Sequence, residues 1–508
     1  MSERKTLVIG NKIYTQDENN PEVNWILIKN DTIIDLGKGN PPMSPNFNIF
    51  DFSPFYGLPG FIDSHVHLAN TALTEIFLDL SSFTSIEDIL KALEAIRDNT
   101  PKGEWIVAKE FDPQNVEEKR DINREELDKN FPFHPVFIIR KDSHSSIVNT
   151  LAEKLLDIPY LEEKEDNLLK ARAHQIAIGK VYQKIDPSLL IKGIIKITRK
   201  AIEKGITTIH ALEGGYTSPP NTPSLLLGIE HYLPLQLVIY YQTTSISKVK
   251  AINLPRIGGC LLIDGSVSSK TAAFFEPYQG DENNYGILYW EPETLENFIK
   301  SAHNDGLQIS FHAVGDRGID LLLKAYKKIL KNFPREDHRH RIEHFEYPRN
   351  EHIKLARDLG LNISVQPSFL HFWGGEEKLY ENYLGKERAK RIIPLRELYD
   401  EGVILGGGSD SSITPLDPLL GIHSAINHPY PNESLNVFEA IRIFTYNGAY
   451  LAFLEKKKGS LAIGKIADIV FLNKDPFLVK PKDFYSSLEV VATISKGQLV
   501  YKKEDLRI

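Results

Sequence analysis

What most constrains the fold is a recurring pair: an amphipathic stretch of helix length, then a short continuous run rich in Ile and Val. "GITTIHAL" follows "LIKGIIKITRKAIEK", "LQISFHAVG" follows "ETLENFIKSAHNDG", and "HRIEHFEY" follows "GIDLLLKAYKKILKNF". "LNISVQP" follows "NEHIKLARDLG", and "GVILGGGSD" follows "IIPLRELYDE". Runs that are apolar throughout, rather than alternating, read as strands buried on both faces, and strands that each follow a helix pair in parallel. The class is α/β. With this many units across 58–458, a (β/α)8 TIM barrel carrying insertions is expected, since that fold typically needs roughly 250 residues. A doubly wound open sheet is the alternative, but no Gly-rich phosphate fingerprint follows the early strands.

The chain ends have a different texture. "TLVIG", "KIYT", "VNWILIKND" and "TIIDLG" near the start, and "ADIVFLNKD", "VVATISKG" and "QLVYKK" near the end, read as short strands parted by Asn, Asp and Gly turns. Chain ends commonly lie close together, so 1–57 and 459–508 are expected to form one composite β-sandwich beside a barrel over 58–458. The long charged segment around 75–180 reads as an insertion in the barrel's first half. A chain of 508 residues suits one large domain plus an accessory one.

Charge narrows the partners. With 60 basic and 68 acidic residues, a net charge of -8 and no basic block, the chain is not built to neutralise phosphates, so no nucleic-acid partner is expected. The first apolar run is broken at Gly10 and Asn11, too soon for a signal-peptide core or a membrane span, so no membrane partner is expected either. Cys260 is the single cysteine, which excludes an intrachain disulfide and favours a cytoplasmic location.

In a barrel, functional side chains sit at the C-terminal ends of strands. His65 and His67 end "GLPGFIDSHVH", Cys260 lies in "IGGCLLIDGS", His312 ends "LQISFH", His344 ends "HRIEH", and Asp410 ends "VILGGGSD". Period-two alternation turns His65 and His67 to one side and Val66 to the other. Histidine nitrogens with a carboxylate make a zinc-type set, and scattered strand ends leave a position open for water. A lone H-x-H is weak evidence; its convergence with histidines on two later strands and an Asp on another points to a metal site. His210, in "ITTIHALEGG", is equally compatible with the core and with the pocket. His303, His338, His340 and His352 lie in helical or charged surroundings and read as surface.

Several longer motifs accompany these residues: "GLPGFIDSHVHL", "GEWIVAKEFD", "RKDSHSSIVNTLA", "IDGSVSSKTAAFFEPY", "SFHAVGDRGID", "HRIEHFEY", "ISVQPSF", "GGGSDSSITPLDPLLGI" and "KGSLAIGKIADIVFL". Together they resemble the amidohydrolase superfamily, and within it the amidohydrolase-3 branch that includes N-substituted formamide deformylases. The resemblance implies one metal position held by His65, His67 and Asp410 and another held by His312 and His344, with one or two divalent ions, zinc foremost. It also implies Asp410 as the catalytic general base, a small-molecule substrate and a homodimer. The sequence departs from the pattern where relatives carry a bridging lysine, four residues before the Asp-Gly-Ser motif: Cys260 stands there, and a thiolate is itself a good zinc ligand. Asn167 and Ala171 replace a Gly and a Glu common in relatives, and Lys270 replaces an Arg.

The reaction implied is hydrolysis of a non-peptide C–N bond in N-acyl or N-formyl amines or cyclic amides, by metal-activated water. Esterase, lactonase or phosphotriesterase-like activity on the same site, and a non-catalytic metal-binding scaffold, are the alternatives. A deaminase would need a Glu three residues after His312, where Gly315 stands. His144, Phe369 and Trp373 are candidate substrate contacts, and Phe372, Tyr285 and Trp290 add aromatic character to the same loops.

Overall fold

The computed structural model describes residues 5–141, 145–157, 164–215, 217–504 and 506. Its centre is an eight-stranded sheet whose strands follow one another in chain order: Phe61–Val66, Ile206–Gly214, Gln236–Gln242, Arg256–Leu262, Gln308–Ala313, Arg341–His344, Asn362–Val365 and Leu405–Gly407. The sheet returns on itself. Val66 and Ser411 form a parallel bridge, His65 O accepts from Asp410 N at 2.8 Å, and His67 N donates to Ser411 O at 2.9 Å. This is the expected (β/α)8 barrel. Every residue of the first, fifth, sixth and seventh strands is buried, as strands covered on both faces must be.

Helices Pro187–Glu203, Pro292–Asn304, Asp316–Asn332, Asn350–Asp358 and Leu395–Asp400 precede the second, fifth, sixth, seventh and eighth strands. Helix Asp316–Asn332 buries Ile319, Leu322, Leu323, Tyr326 and Ile329 on one stripe at helical spacing. Each such side chain contributes about 1.5–3 kcal/mol by leaving water.

A seven-stranded sheet is assembled from both chain ends, in the order Gln498–Lys502, Val490–Ser495, Ile469–Leu472, Phe47–Pro59, Lys5–Tyr14, Glu22–Lys29, Thr32–Gly37. Strand Phe47–Pro59 pairs in parallel with Lys5–Tyr14 and antiparallel with Ile469–Leu472, so it joins the two ends of the chain. Val8, Ile26, Ile28, Phe52, Ile469 and Phe471 lie in its core. The chain passes from this sheet into the first barrel strand through Pro59-Gly60. Gly60 N donates to Asp468 O at 2.8 Å, and a Cβ at this position would stand 2.4 Å from Thr207 Oγ1, so only glycine fits.

The chain divides into two compact units. The first is Met1–Leu68, Thr198–Glu213 and Pro223–Ile508, which holds the barrel and the terminal sheet; the second is Ala69–Ile197 with Gly214–Thr222. The second has a six-stranded sheet of its own, from Leu78–Asp79 to Leu168–Lys170, over a core that includes Ile89, Leu93, Ile106, Phe111, Phe131 and Ile138. No helix among the described residues is long and apolar enough to cross a membrane.

Candidate metal centre

The barrel brings His65, His67, Cys260, His312, His344 and Asp410 to one place, and all six are buried. Two groups stand out, His65 with His67 and Asp410, and His65 with Cys260 and His344; within each group the candidate ligand atoms lie within 4.8 Å of one another. His65 belongs to both.

His65 and His67 close the first strand on the same side, as alternation requires. Their Nε2 atoms lie 3.3 Å and 3.4 Å from the same Oδ1 of Asp410. His67 Nδ1 pairs with Leu212 O at 3.1 Å, which leaves Nε2 as the lone pair facing the site. The carboxylate of Asp63 ties the first strand to the loop that carries Asp410, accepting from His65 N at 3.2 Å and from Ser409 N at 3.0 Å. Asp410 and His344 hold left-handed backbone, with φ of 54° and 72°. Such conformations in non-glycine residues concentrate at sites where geometry outranks comfort.

Cys260 reaches the cluster through a bulge. The fourth and fifth strands pair Gly258 with Ser310 and then Leu261 with Phe311, so Gly259 and Cys260 are looped out of the ladder. Gly258 and Gly259, with φ of 91° and 103°, make the bend possible. The thiol then lies 3.6 Å from His312 Nδ1 and 3.9 Å from His344 Nε2. His312 Nε2 pairs with Gly265 O at 3.0 Å, so its Nδ1 is the nitrogen left facing the site.

The hydrogen-bond accounting fits an ion. His344 Nδ1 is buried without a hydrogen-bond partner, a state that costs about 1–3 kcal/mol unless something coordinates it, and His65 Nε2 and Asp410 Oδ1 face one another at 3.3 Å inside the cluster. Burial alone would raise the Asp410 carboxyl, but His65 and His67 hold it below its ordinary value, so it stays ionised. Burial would lower His65, but Asp410 and Glu343 lift it well above the usual imidazole range. Burial pushes His344 well down and His312 down to about 4, leaving both as neutral donors. It also pushes the Cys260 thiol up, so the thiolate form depends on a cation nearby.

Of the candidate substrate contacts, Phe369 stacks on His344, with ring centroids 6.1 Å apart and planes 16° apart, and Trp373 meets Phe369 edge-on at 4.8 Å. His144 lies outside the described residues. Trp290 is partly buried, donates to Leu262 O at 3.0 Å and meets Phe298 and Phe311. Lys270 Nζ stands 5.1 Å over the Tyr383 ring. At Gly315 a Cβ would fall 2.1 Å from Ala273 O, so the backbone leaves no room for the acid a deaminase needs there.

Two readings of the sequence need correction. His303, His338, His340 and His352 are buried, between 0% and 8% exposed, not on the surface. Charged neighbours in sequence suggested solvent, but His303, His338 and His340 pack on one another, and His352 lies 3.7 Å from Asp320 of helix Asp316–Asn332. The second concerns Arg341 and Glu343, which sequence reasoning passed over. Both are fully buried, and Arg341 Nη2 donates to Glu343 Oε2 at 2.8 Å. The signal was present: in "HRIEH" both alternate with Ile342 on a strand meant to be interior, where charges occur only when paired. His210, compatible by sequence with core or pocket, is a network residue, its Nδ1 accepting from Arg341 Nη1 at 2.8 Å.

Comparison with known proteins gives the family. The Bacillus subtilis protein named amidohydrolase YtcJ is 29% identical over 477 residues, covering 88% of this chain and 89% of that protein. The N-substituted formamide deformylase of Arthrobacter pascens is 22% identical over 98% of this chain and 99% of its own length. Among solved structures, an uncharacterized metal-dependent hydrolase from Pyrococcus furiosus superposes with a TM-score of 0.80 at 24% identity, covering 93% of this chain and 100% of that one. The model of the amidohydrolase family matches residues 56–501, and with that span the chain belongs to the amidohydrolase family of metal-dependent hydrolases.

Proposed function

We propose that the chain is a zinc hydrolase of non-peptide C–N bonds in N-acyl or N-formyl amines or cyclic amides. The observation that carries this reading is the pair of buried ligand groups, His65 with His67 and Asp410 and His65 with Cys260 and His344, gathered at the ends of the barrel strands. His65, His67 and Asp410 would hold one ion, and Cys260, His312 and His344 a second. An ion bound there supplies a Lewis acid and brings the pKa of water down toward about 7.

The chain's own groups do the rest. Asp410 is kept ionised by His65 and His67. Its carboxylate accepts the proton of the attacking water and delivers it to the leaving nitrogen, so that water adds across the C–N bond and an acid and an amine depart. Buried imidazoles held neutral at His312 and His344 offer lone pairs rather than competing cations. The ring of Phe369, backed by Trp373, gives an apolar substituent a flat surface beside His344. The name of the Arthrobacter relative, matched along nearly its whole length, supports the same substrate class. A cytoplasmic homodimer belongs to this reading.

The test is metal analysis of purified protein, followed by a screen of N-formyl, N-acetyl and cyclic amides with esters, lactones and phosphotriesters as contrast. Metal at one or two equivalents and turnover confined to the amides is the expected result. Protein that neither contains nor takes up zinc overturns the metal assignment, and turnover of the contrast set alone overturns the bond class.

A further inference from the structure

Beneath the ligand cluster the barrel is filled with a polar network where branched apolar side chains are the usual filling. Glu343 Oε2 lies 2.8 Å from His65 Nδ1 and 2.8 Å from Arg341 Nη2, while its Oε1 accepts from Ser310 Oγ. Arg341 Nη2 also donates to Ser64 O at 2.8 Å, and Nη1 donates to Tyr240 OH at 2.9 Å and to His210 Nδ1 at 2.8 Å. His65, Arg341 and Glu343 are all 0% exposed. Burying two charges this deeply is costly, and replacing such a pair by apolar residues is often neutral or stabilising, so stability gives no reason for it to be here. Its geometry does: a carboxylate accepting from Nδ1 holds the ring so that Nε2 is turned toward Asp410 Oδ1 and the other candidate ligands.

We propose that Arg341 and Glu343 are positioning residues that fix the ring orientation of His65, and that through it they set the metal affinity of the group His65 forms with His67 and Asp410. Arg341 keeps the carboxylate charged and aimed; Glu343 holds the ring; Ser310 fixes the second carboxylate oxygen so that Oε2 stays on His65. The inference rests on the proposed metal centre. It goes further in its prediction that a residue touching no ion governs the affinity of the zinc held at His65.

The experiment is zinc titration against a chromophoric chelator on the full chain, comparing wild type with Glu343→Gln, which keeps size but not charge, and with Ser310→Ala, which removes one hydrogen bond and leaves the charge pair. Cobalt spectra of the same proteins serve as a second readout. Glu343→Gln should bind the zinc held at His65 roughly 10–100-fold more weakly, with a displaced cobalt band and a lower melting temperature in the absence of metal, because Arg341 loses its buried counter-charge. Ser310→Ala should weaken binding by a smaller factor in the same direction. If Glu343→Gln is folded and binds as wild type does, the positioning role is wrong and the metal reading stands. Should wild type itself bind no zinc, the metal reading is what fails. Should Glu343→Gln not fold, Ser310→Ala decides, and unchanged affinity there overturns the proposal.

Discussion

One barrel buries two clusters of histidine, and they obey opposite rules. At the C-terminal ends of the strands, His65 Nε2 faces the Asp410 carboxylate at 3.3 Å and His344 Nδ1 has no hydrogen-bond partner. At the other end, around the start of the sixth strand, every nitrogen of His303, His338 and His340 is satisfied. His303 Nδ1 pairs with His340 Nε2 at 2.9 Å and its Nε2 with Phe333 O at 2.8 Å; His338 Nε2 pairs with Leu359 O at 2.9 Å. His340 Nδ1 accepts from Ile309 N and His338 Nδ1 from His340 N, both at 3.0 Å. Residue type and burial are the same in both places. What separates the two clusters is what their nitrogens meet: backbone groups and one another below, a carboxylate, a thiol and other candidate ligands above.

The largest effect that would break this contrast lies at the upper cluster. Asp410→Asn should lower turnover of any substrate found by roughly 10³-fold or more, since general-base catalysis alone contributes about 10²–10⁴-fold. The protein should keep its melting temperature and part of its metal. Near-normal steady-state rates would remove Asp410 from the base role.

Next is the lower cluster. His340→Ala deletes a ring that three groups lean on, and leaves both a cavity and unpaired partners in a fully buried place. A loss of about 2–4 kcal/mol in urea unfolding is expected, with metal stoichiometry unchanged. Metal loss in folded His340→Ala protein would mean that the two clusters are not independent.

A smaller effect of the same kind appears with pH. Burial pushes His338 down from 6.5 to about 4. Between those values the unfolded chain takes up a proton that the folded chain refuses, so the contribution of this group is complete above about pH 6.5 and falls away as pH drops toward 4. At pH 5 the loss is on the order of 2 kcal/mol. Denaturant melts of wild type and His338→Asn at pH 7.5 and 5 measure it; equal pH dependence in the two proteins would exclude His338 as a source.

Why the upper cluster was legible in the sequence and the lower was not follows from the same physics. Strand ends are announced by a switch from an apolar run to a polar residue, so the order of residues alone suffices to place His65, His67, His312, His344 and Asp410. "HRH" before the sixth strand carries no such mark: its periodicity is that of a loop, and only tertiary packing against helix Pro292–Asn304 buries it. Arg341 and Glu343 were legible in principle, because alternation on an interior strand places both inside the barrel. The Gly258-Gly259 bulge was partly so, since paired glycines in a strand mark a kink but do not say which neighbour is turned inward.

Cys260 straddles the two rules, and its substitution is the finest probe of them. It packs with Leu212, Val238, Tyr240 and Ala452 as a small apolar residue would, yet its sulfur lies 3.6 Å and 3.9 Å from two candidate ligands. If it is core alone, Cys260→Ser costs a little stability and zinc binds as before. If the thiolate ligates, serine replaces an anionic soft donor with a neutral weak one, and the group it shares with His344 should lose about tenfold in zinc affinity. The other group, built on His65, His67 and Asp410, should keep its own. Zinc titration with two resolvable steps reads the difference directly: a fall in one step with the other unchanged assigns Cys260 to the metal, and two unchanged steps return it to the core.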